Sequence, residues 1–194
     1  MKTALIPLAL LLAGCLTSTA HAEKADRDKP VHLESDRITV DDAKKIHVLE
    51  GNVQLVQGTL MIHCDKLVVT QDAQGFQKGT ATVSPGGLAR FRQKREGKDE
   101  YIDGEAERIV HDARSEKTEF FQRAYIKSGN DEVRGQYISY DGNNENYLVT
   151  SGANGTSTPS GTGKDSRVRV VIQPKPHTAT PSATPPATPA QPTP

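Results

Sequence analysis

From Leu49 to Val69 the chain reads LEGNVQLVQGTLMIHCDKLVV, with apolar and polar side chains alternating on both sides of Gly58. Period-two alternation puts successive side chains on opposite faces of an extended chain, so the stretch predicts two half-buried strands joined by a hairpin turn at Gln57-Gly58-Thr59. Ile46 to Val56 is rich in β-branched residues, and Gly51-Asn52 interrupts it where a bulge or bend is expected. The same alternation predicts strands at Val31-His32-Leu33, at Ile38-Thr39-Val40 before the turn DDAKK, and at residues 66–70 before QDAQG. Further on it predicts strands at GTATVS, at LARFRQ after the turn PGG, along AYIKSGNDEVRGQYISYDGNN, and finally at RVRVVI over 167–172.

Residues 105–121, EAERIVHDARSEKTEFF, could form an amphipathic helix. Their counterpart in an internal repeat argues otherwise. At one fixed offset the chain matches itself without gaps: Arg37-Ile38 falls on Arg108-Ile109, Asp41 on Asp112, Leu55 on Ile126, Gly58 on Gly129, Ile62 on Val133 and Leu67 on Ile138. Residues 34–50 read as strand, turn, strand, so 105–121 should too. A shorter echo recurs within each half, as Ser35-Asp36-Arg37-Ile38, Cys64-Asp65-Lys66-Leu67, Ala106-Glu107-Arg108-Ile109 and Gly135-Gln136-Tyr137-Ile138. Repeats of this size imply supersecondary units that share one continuous core. The expectation is an all-β protein built from two copies of one unit.

Composition sharpens the picture of that core. There is no Trp, and only four Phe and five Tyr in 194 residues, so the inward set is made of medium aliphatic side chains. Such a lining serves as an ordinary core and equally suits a trough for flexible hydrocarbon chains. Charge excludes one class of partner: 24 Lys and Arg balance 24 Asp and Glu, whereas nucleic-acid binders carry a basic excess. The ends differ from the middle. MKTALIPLALLLAGCLTSTAHA has one Lys, an apolar run from Ala4 to Leu16 and an Ala20-His21-Ala22 box, which predicts a secretory signal over residues 1–22. Cys15, at the end of LLAGC, offers an alternative lipoprotein processing site. The Pro/Thr/Ala composition of 174–194 predicts a disordered tail, leaving 23–173 as one domain.

Candidate chemistry changes little. His63-Cys64-Asp65 offers three metal-ligand types in a row, but consecutive strand residues point to opposite faces and cannot converge on one ion. No nucleophile elbow, phosphate loop or marked carboxylate pair is legible. The expectation is a protein without catalytic residues, metal or cofactor. Arg90 and Arg92, flanking Phe91, could meet phosphates at a rim or form a solvated face.

Pro30-Val31-His32-Leu33-Glu34-Ser35-Asp36, Gly51-Asn52-Val53, Gln57-Gly58-Thr59 and Asp65-Lys66-Leu67 resemble the OstA-like family, as do ARFRQ at 89–93, GEAERIVHD at 104–112 and VRGQYISYD at 133–141. The resemblance covers roughly residues 28–173, and FFQRAYI at 120–126 departs from the family pattern. It implies an open, twisted antiparallel β-jellyroll with an apolar groove that holds the lipid A acyl chains of lipopolysaccharide. It further implies head-to-tail self-association, with the last strand of one copy beside the first strand of the next. Its implied partners are an inner-membrane-anchored protein of the same fold (LptC-like) and the N-terminal domain of an outer-membrane translocon (LptD-like). Carried over at matching positions, the groove lining comprises Val31, Leu33, Ile38, Val40, Leu49, Val53, Leu55, Leu60, Ile62, Leu67, Phe91 and Ile109. The function so implied is a lipopolysaccharide carrier and bridge between two membranes; the alternative is a scaffold of the same machinery without lipid traffic of its own.

Overall fold

The computed structural model describes residues 26–152, 155–156 and 167–173. The expected signal, most of the Gly/Ser-rich loop and the Pro/Thr tail lie outside the described residues. A short 3-10 turn, Asp26–Asp28, precedes β1 (Val31–Glu34), β2 (Arg37–Asp41), β3 (Ile46–Gln57), β4 (Leu60–Asp72), β5 (Gly75–Thr82) and β6 (Ala89–Lys94). These six are followed by β7 (Tyr101–Ala106), β8 (Arg108–Asp112), β9 (Lys117–Ser128), β10 (Asp131–Asp141), β11 (Asn146–Thr150) and β12 (Arg169–Val171). Every pairing among them is antiparallel.

The four long strands each serve two layers. The first half of β3 pairs with β2 and its last residues pair with β1. β4 begins beside β6 and ends beside β5; β9 passes from β8 to β7; and β10 passes from β12 to β11. The result is a jellyroll of two eight-stranded layers. One runs β2-β3-β4-β5-β8-β9-β10-β11 and the other β1-β3-β4-β6-β7-β9-β10-β12. The sequence repeat that carries Arg37 onto Arg108 is the repeat of this plan: β1 to β6 recur as β7 to β12, and the units join where β5 meets β8 and β6 meets β7.

The corner between layers is written in the sequence echo. Ser35-Asp36 lies between β1 and β2, Asp65-Lys66 breaks the alternation of β4, Glu107 separates β7 from β8, and Gly135-Gln136 carries the bulge of β10. On β4 the buried residues are Leu60, Ile62 and Cys64, then Leu67 and Val69, so the inward parity switches at the corner and both layers keep an apolar inner face. β3 turns its corner at Gly51 (φ 79°) and Asn52 (φ 46°), a left-handed pair at the expected bulge. Asp36 donates its backbone N–H to Gly51 O, and its carboxylate accepts from Asn52 Nδ2 at 3.0 Å. A Cβ on Gly51 would collide with that carboxylate, so glycine is required sterically as well as by its φ.

Sequence and structure part in three places, and agree in a fourth that was open. Residues 60–62 and 66–70 are one strand, because the corner bends the ladder without ending it. The last strand is three residues, Arg169–Val171, and not the whole of RVRVVI. The repeat scheme did not delimit β7 and β11, whose alternation is blurred by Gly104 and by the exposed Tyr147 and Leu148. The segment 105–121 is strand, turn, strand, as its repeat partner required.

Candidate functional site

The space between the layers differs along the molecule. Where the two units meet it is filled. Phe120 on β9 reaches across from one layer and Phe91 on β6 from the other, meeting edge to face at 5.6 Å between ring centroids. Gly104, opposite Phe91 in the β6–β7 ladder, makes room: a Cβ there would run into the Phe120 ring. His111 of β8 sits beneath, with rings of Phe76 and Phe91 each 6.2 Å away and its Nδ1 2.9 Å from Thr118 Oγ1. Burial pushes the His111 imidazole down to about 4, so it is neutral at ordinary pH.

At the β1 edge of the first unit the layers stand apart. A cavity of about 1290 Å³ opens between the edge strand β1 and the facing ends of β3 and β4. Val31, Leu33, Val69 and Phe76 give it an apolar floor, while Arg27, Lys29, His47 and Arg114 ring its mouth together with Asp28 and Asp72. Arg114 is ion-paired with Asp72. An apolar floor under a charged mouth is chemically suited to an amphiphile.

The twelve sequence-predicted lining residues fall into three groups. Leu49, Val53, Leu55, Leu60, Ile62, Leu67, Phe91 and Ile109 are buried in the inter-layer core. Gly51-Asn52 does not turn Leu49 or Val53 outward: both face in. Val31 and Leu33 pack against that core and also line the open cavity. Ile38 and Val40 stand opposite Leu49 and His47, hence on the inner face, yet remain 48% and 50% exposed because β2 is the edge of its layer. Val69, Phe76 and His47 also line the cavity and were missing from the groove read off the sequence. Val69 continues the β4 alternation and could have been found; Phe76 and His47 are brought in by folding alone.

Other candidates resolve simply. His63 and Asp65 are exposed and Cys64 buried, so alternation separates the three. The Cys64 thiol is pushed up to about 12, chiefly by burial. Arg90 and Arg92 lie on the outer face of β6, 3.4 Å from Glu105 and 3.2 Å from Asp103 across the β6–β7 ladder, and Arg92 stacks over Tyr101. They form a charged outer ladder away from the groove. Among the described residues no helix is long and apolar enough to cross a membrane.

Known proteins share this design. A family profile described as LptA/(LptD N-terminal domain) LPS transport protein matches residues 32–146. The lipopolysaccharide export system protein LptA of Escherichia coli (strain K12) is 28% identical over 142 residues, covering 72% of this chain and 76% of that one. The export system protein LptH of Pseudomonas aeruginosa is 25% identical over 172 residues, covering 88% and 94%. In three dimensions the chain is similar to the crystal structure of LptH, the LptA-homologous periplasmic component of the lipopolysaccharide transport device of that organism. The TM-score is 0.67 at 21% identity, over 77% of this chain and 99% of that one.

Proposed function

The chain belongs to the LptA/(LptD N-terminal domain) family of LPS transport proteins, and from that premise we propose that it is a periplasmic, non-enzymatic carrier that shields lipid A acyl chains between its two layers and joins copies of the fold into a bridge. The observation that carries the lipid reading is the cavity with an apolar floor and a charged mouth at the β1 edge. Each buried methylene is worth about 0.8 kcal/mol, so several long acyl chains in water would cost on the order of tens of kcal/mol. A trough lined by Val31, Leu33, Val69 and Phe76 and continuing past the edge residues Ile38 and Val40 offsets that penalty. The remaining predicted lining residues would be recruited as the layers separate.

The bridge is supported by the molecule's own internal joint. Where the units meet, Ala81 stands opposite Ile109, Phe91 opposite Gly104 and Arg90 opposite Glu105. The repeat carries Ile109 onto Ile38, Gly104 onto Leu33 and Glu105 onto Glu34. On the other side of the joint, Val149 faces Ile138 as Ala81 faces Leu67, and Val170 faces Val133 as Phe91 faces Ile62. Repeating the joint between two copies therefore sets Val149 against Ile38, Val170 against Leu33 and Arg169 against Glu34. The edges offered are the open ladders of β2 and β1 at one end and of β11 and β12 at the other, with Ile38 and Val170 about half exposed. Unpaired strand edges with apolar inner faces are an aggregation hazard unless something joins them, and strand addition joins them. An open-ended heterologous contact makes a filament. An LptC-like protein at one end and an LptD-like domain at the other would use the same edges.

A photo-reactive residue in place of Leu33 or Val69 tests the reading. Capture of lipopolysaccharide is expected. Capture of protein alone would replace the carrier with a scaffold.

A further inference from the structure

Four turns of one layer lie along the open side of the jellyroll, opposite the corners. Each ends on a residue in the left-handed region: Lys45 (φ 55°), Gly75 (φ 112°), Glu116 (φ 52°) and Glu145 (φ 55°). Glycine suits that backbone, and a side chain there is held at some energetic cost. The two glutamates each use the position to grip a cation belonging to the other layer. Glu116 is ion-paired through Oε1 with Arg27, which follows Asp26; the Asp26 carboxylate accepts from the Thr59 backbone N–H (2.8 Å) on the opposite rim. Glu145 is gripped from the β6–β7 loop. Arg95 donates from Nε to Oε1 at 3.0 Å and from Nη2 to Oε2 at 2.6 Å, and Lys98 Nζ lies 2.9 Å from Oε2.

The Arg95 pair is the better built of the two. Its forked geometry is the strongest form of a guanidinium–carboxylate contact. Glu100 accepts from Arg95 Nη1 at 2.8 Å, and the Arg95 backbone N–H bonds Glu100 O, so the loop itself presents the guanidinium. Arg95 is only 17% exposed and Glu145 26%, which spares the pair much of the screening that weakens surface ion pairs. Glu116, by contrast, leaves its buried Oε2 without a hydrogen-bond partner. The Arg95–Glu145 contact lies over the second unit, whereas Arg27 of the other contact also lines the open cavity. The turn ending at Gly75 borders the open cavity, as do Ala113 and Arg114 of the turn ending at Glu116.

We propose that the Arg95–Glu145 contact, with Lys98, is an ionic clasp that holds the two layers together over the second unit, and that it must release before acyl chains pass from the open first unit into that half of the groove. The inference rests on the carrier reading, and adds to it a gate. Acyl chains enter beside β1, at the open cavity, and advance only as the layers part. Release exchanges the Glu145 carboxylate for water or for another anion at Arg95 and Lys98.

Three full-length variants test this: Glu145→Gln, Glu145→Arg, and Arg95→Glu combined with Glu145→Arg, which reverses the pair. Two readouts are taken on each, hydrogen exchange of residues 89–94 and 117–121 without lipid, and the association rate of lipopolysaccharide. Loss of the clasp should raise exchange in both segments and speed association about fivefold, the equivalent of an ion pair worth about 1 kcal/mol. The reversed pair should return both towards the original protein. Unchanged exchange in Glu145→Gln and Glu145→Arg overturns the clasp whatever the lipid result. Raised exchange with unchanged association overturns the gate. A native protein that binds no lipopolysaccharide overturns the carrier reading instead, and the exchange data still judge the clasp.

Discussion

Arg90 and Glu105 face each other across the joint between the two units, Nε 3.4 Å from Oε1, and in the proposed joint between copies Arg169 would stand against Glu34 in the same relation. The internal joint is thus a template for the external one, complete with its ion pair. Its apolar pairs, with Ala81 against Ile109 and Phe91 against Gly104, match large with small. At the external joint the pairs are Val149 with Ile38 and Val170 with Leu33, both medium with medium.

Charge reversal at that joint should show it. Glu34→Arg or Arg169→Glu should weaken end-to-end growth, lowering mean mass in a concentration series by light scattering, and the double reversal should restore it. The effect of one exposed cross-strand pair is about 0.5–1 kcal/mol, and a singly reversed pair doubles it through repulsion. Equal growth in all three variants would remove the proposed register.

Gly104→Ala should destabilise the fold by about 1–3 kcal/mol, because its new methyl occupies the space of the Phe120 ring. Adding Phe120→Leu should recover part of the loss. Urea melts of the single and double variants check this, and additive effects would deny the contact.

The neutral His111 makes stability depend on pH. Its folded pKa, about 4, lies below the unfolded value near 6.5, so the unfolded chain binds the extra proton first as pH falls. Stability from this source is complete above 6.5, declines between 6.5 and about 4, and is constant below. The whole step amounts to about 3 kcal/mol. His111→Gln keeps a polar partner for Thr118 and removes the titration, so its melting temperature should fall less over that window. The Glu145 carboxyl, held down to about 2 mainly by the Arg95 hydrogen bonds, acts in a separate window: its contribution is present above about 4.5 and lost as pH falls towards 2.

Cys64 should resist maleimide in the folded protein and react fully in denaturant. The thiol is buried, its Sγ donates to Lys66 O at 3.3 Å, and desolvation suppresses the thiolate. Rapid labelling under native conditions would mean that the β4 corner opens.

Most of the strands, the hairpin at Gly58, the bulge at Gly51-Asn52 and the repeat that lays Arg37 on Arg108 could be read from the chain before any fold was known. All of these are local or periodic properties of a polymer that alternates its side chains. The corners were not read from the chain: the fourfold echo from Ser35-Asp36 to Gly135-Gln136 was legible as a repeat, and only the fold shows that inward parity switches there. Which inward positions are filled and which stay open was settled by folding. Leu49 and Phe120 occupy equivalent places in the repeat, and so do Leu33 and Gly104. Yet Phe120 over Gly104 fills the space where the units meet, while Leu33 borders a cavity at the β1 edge. The clasp belongs to the same class. Arg95 and Glu145 lie far apart along the chain and meet only because each long strand bends from one layer into the other, bringing distant turns to a common rim.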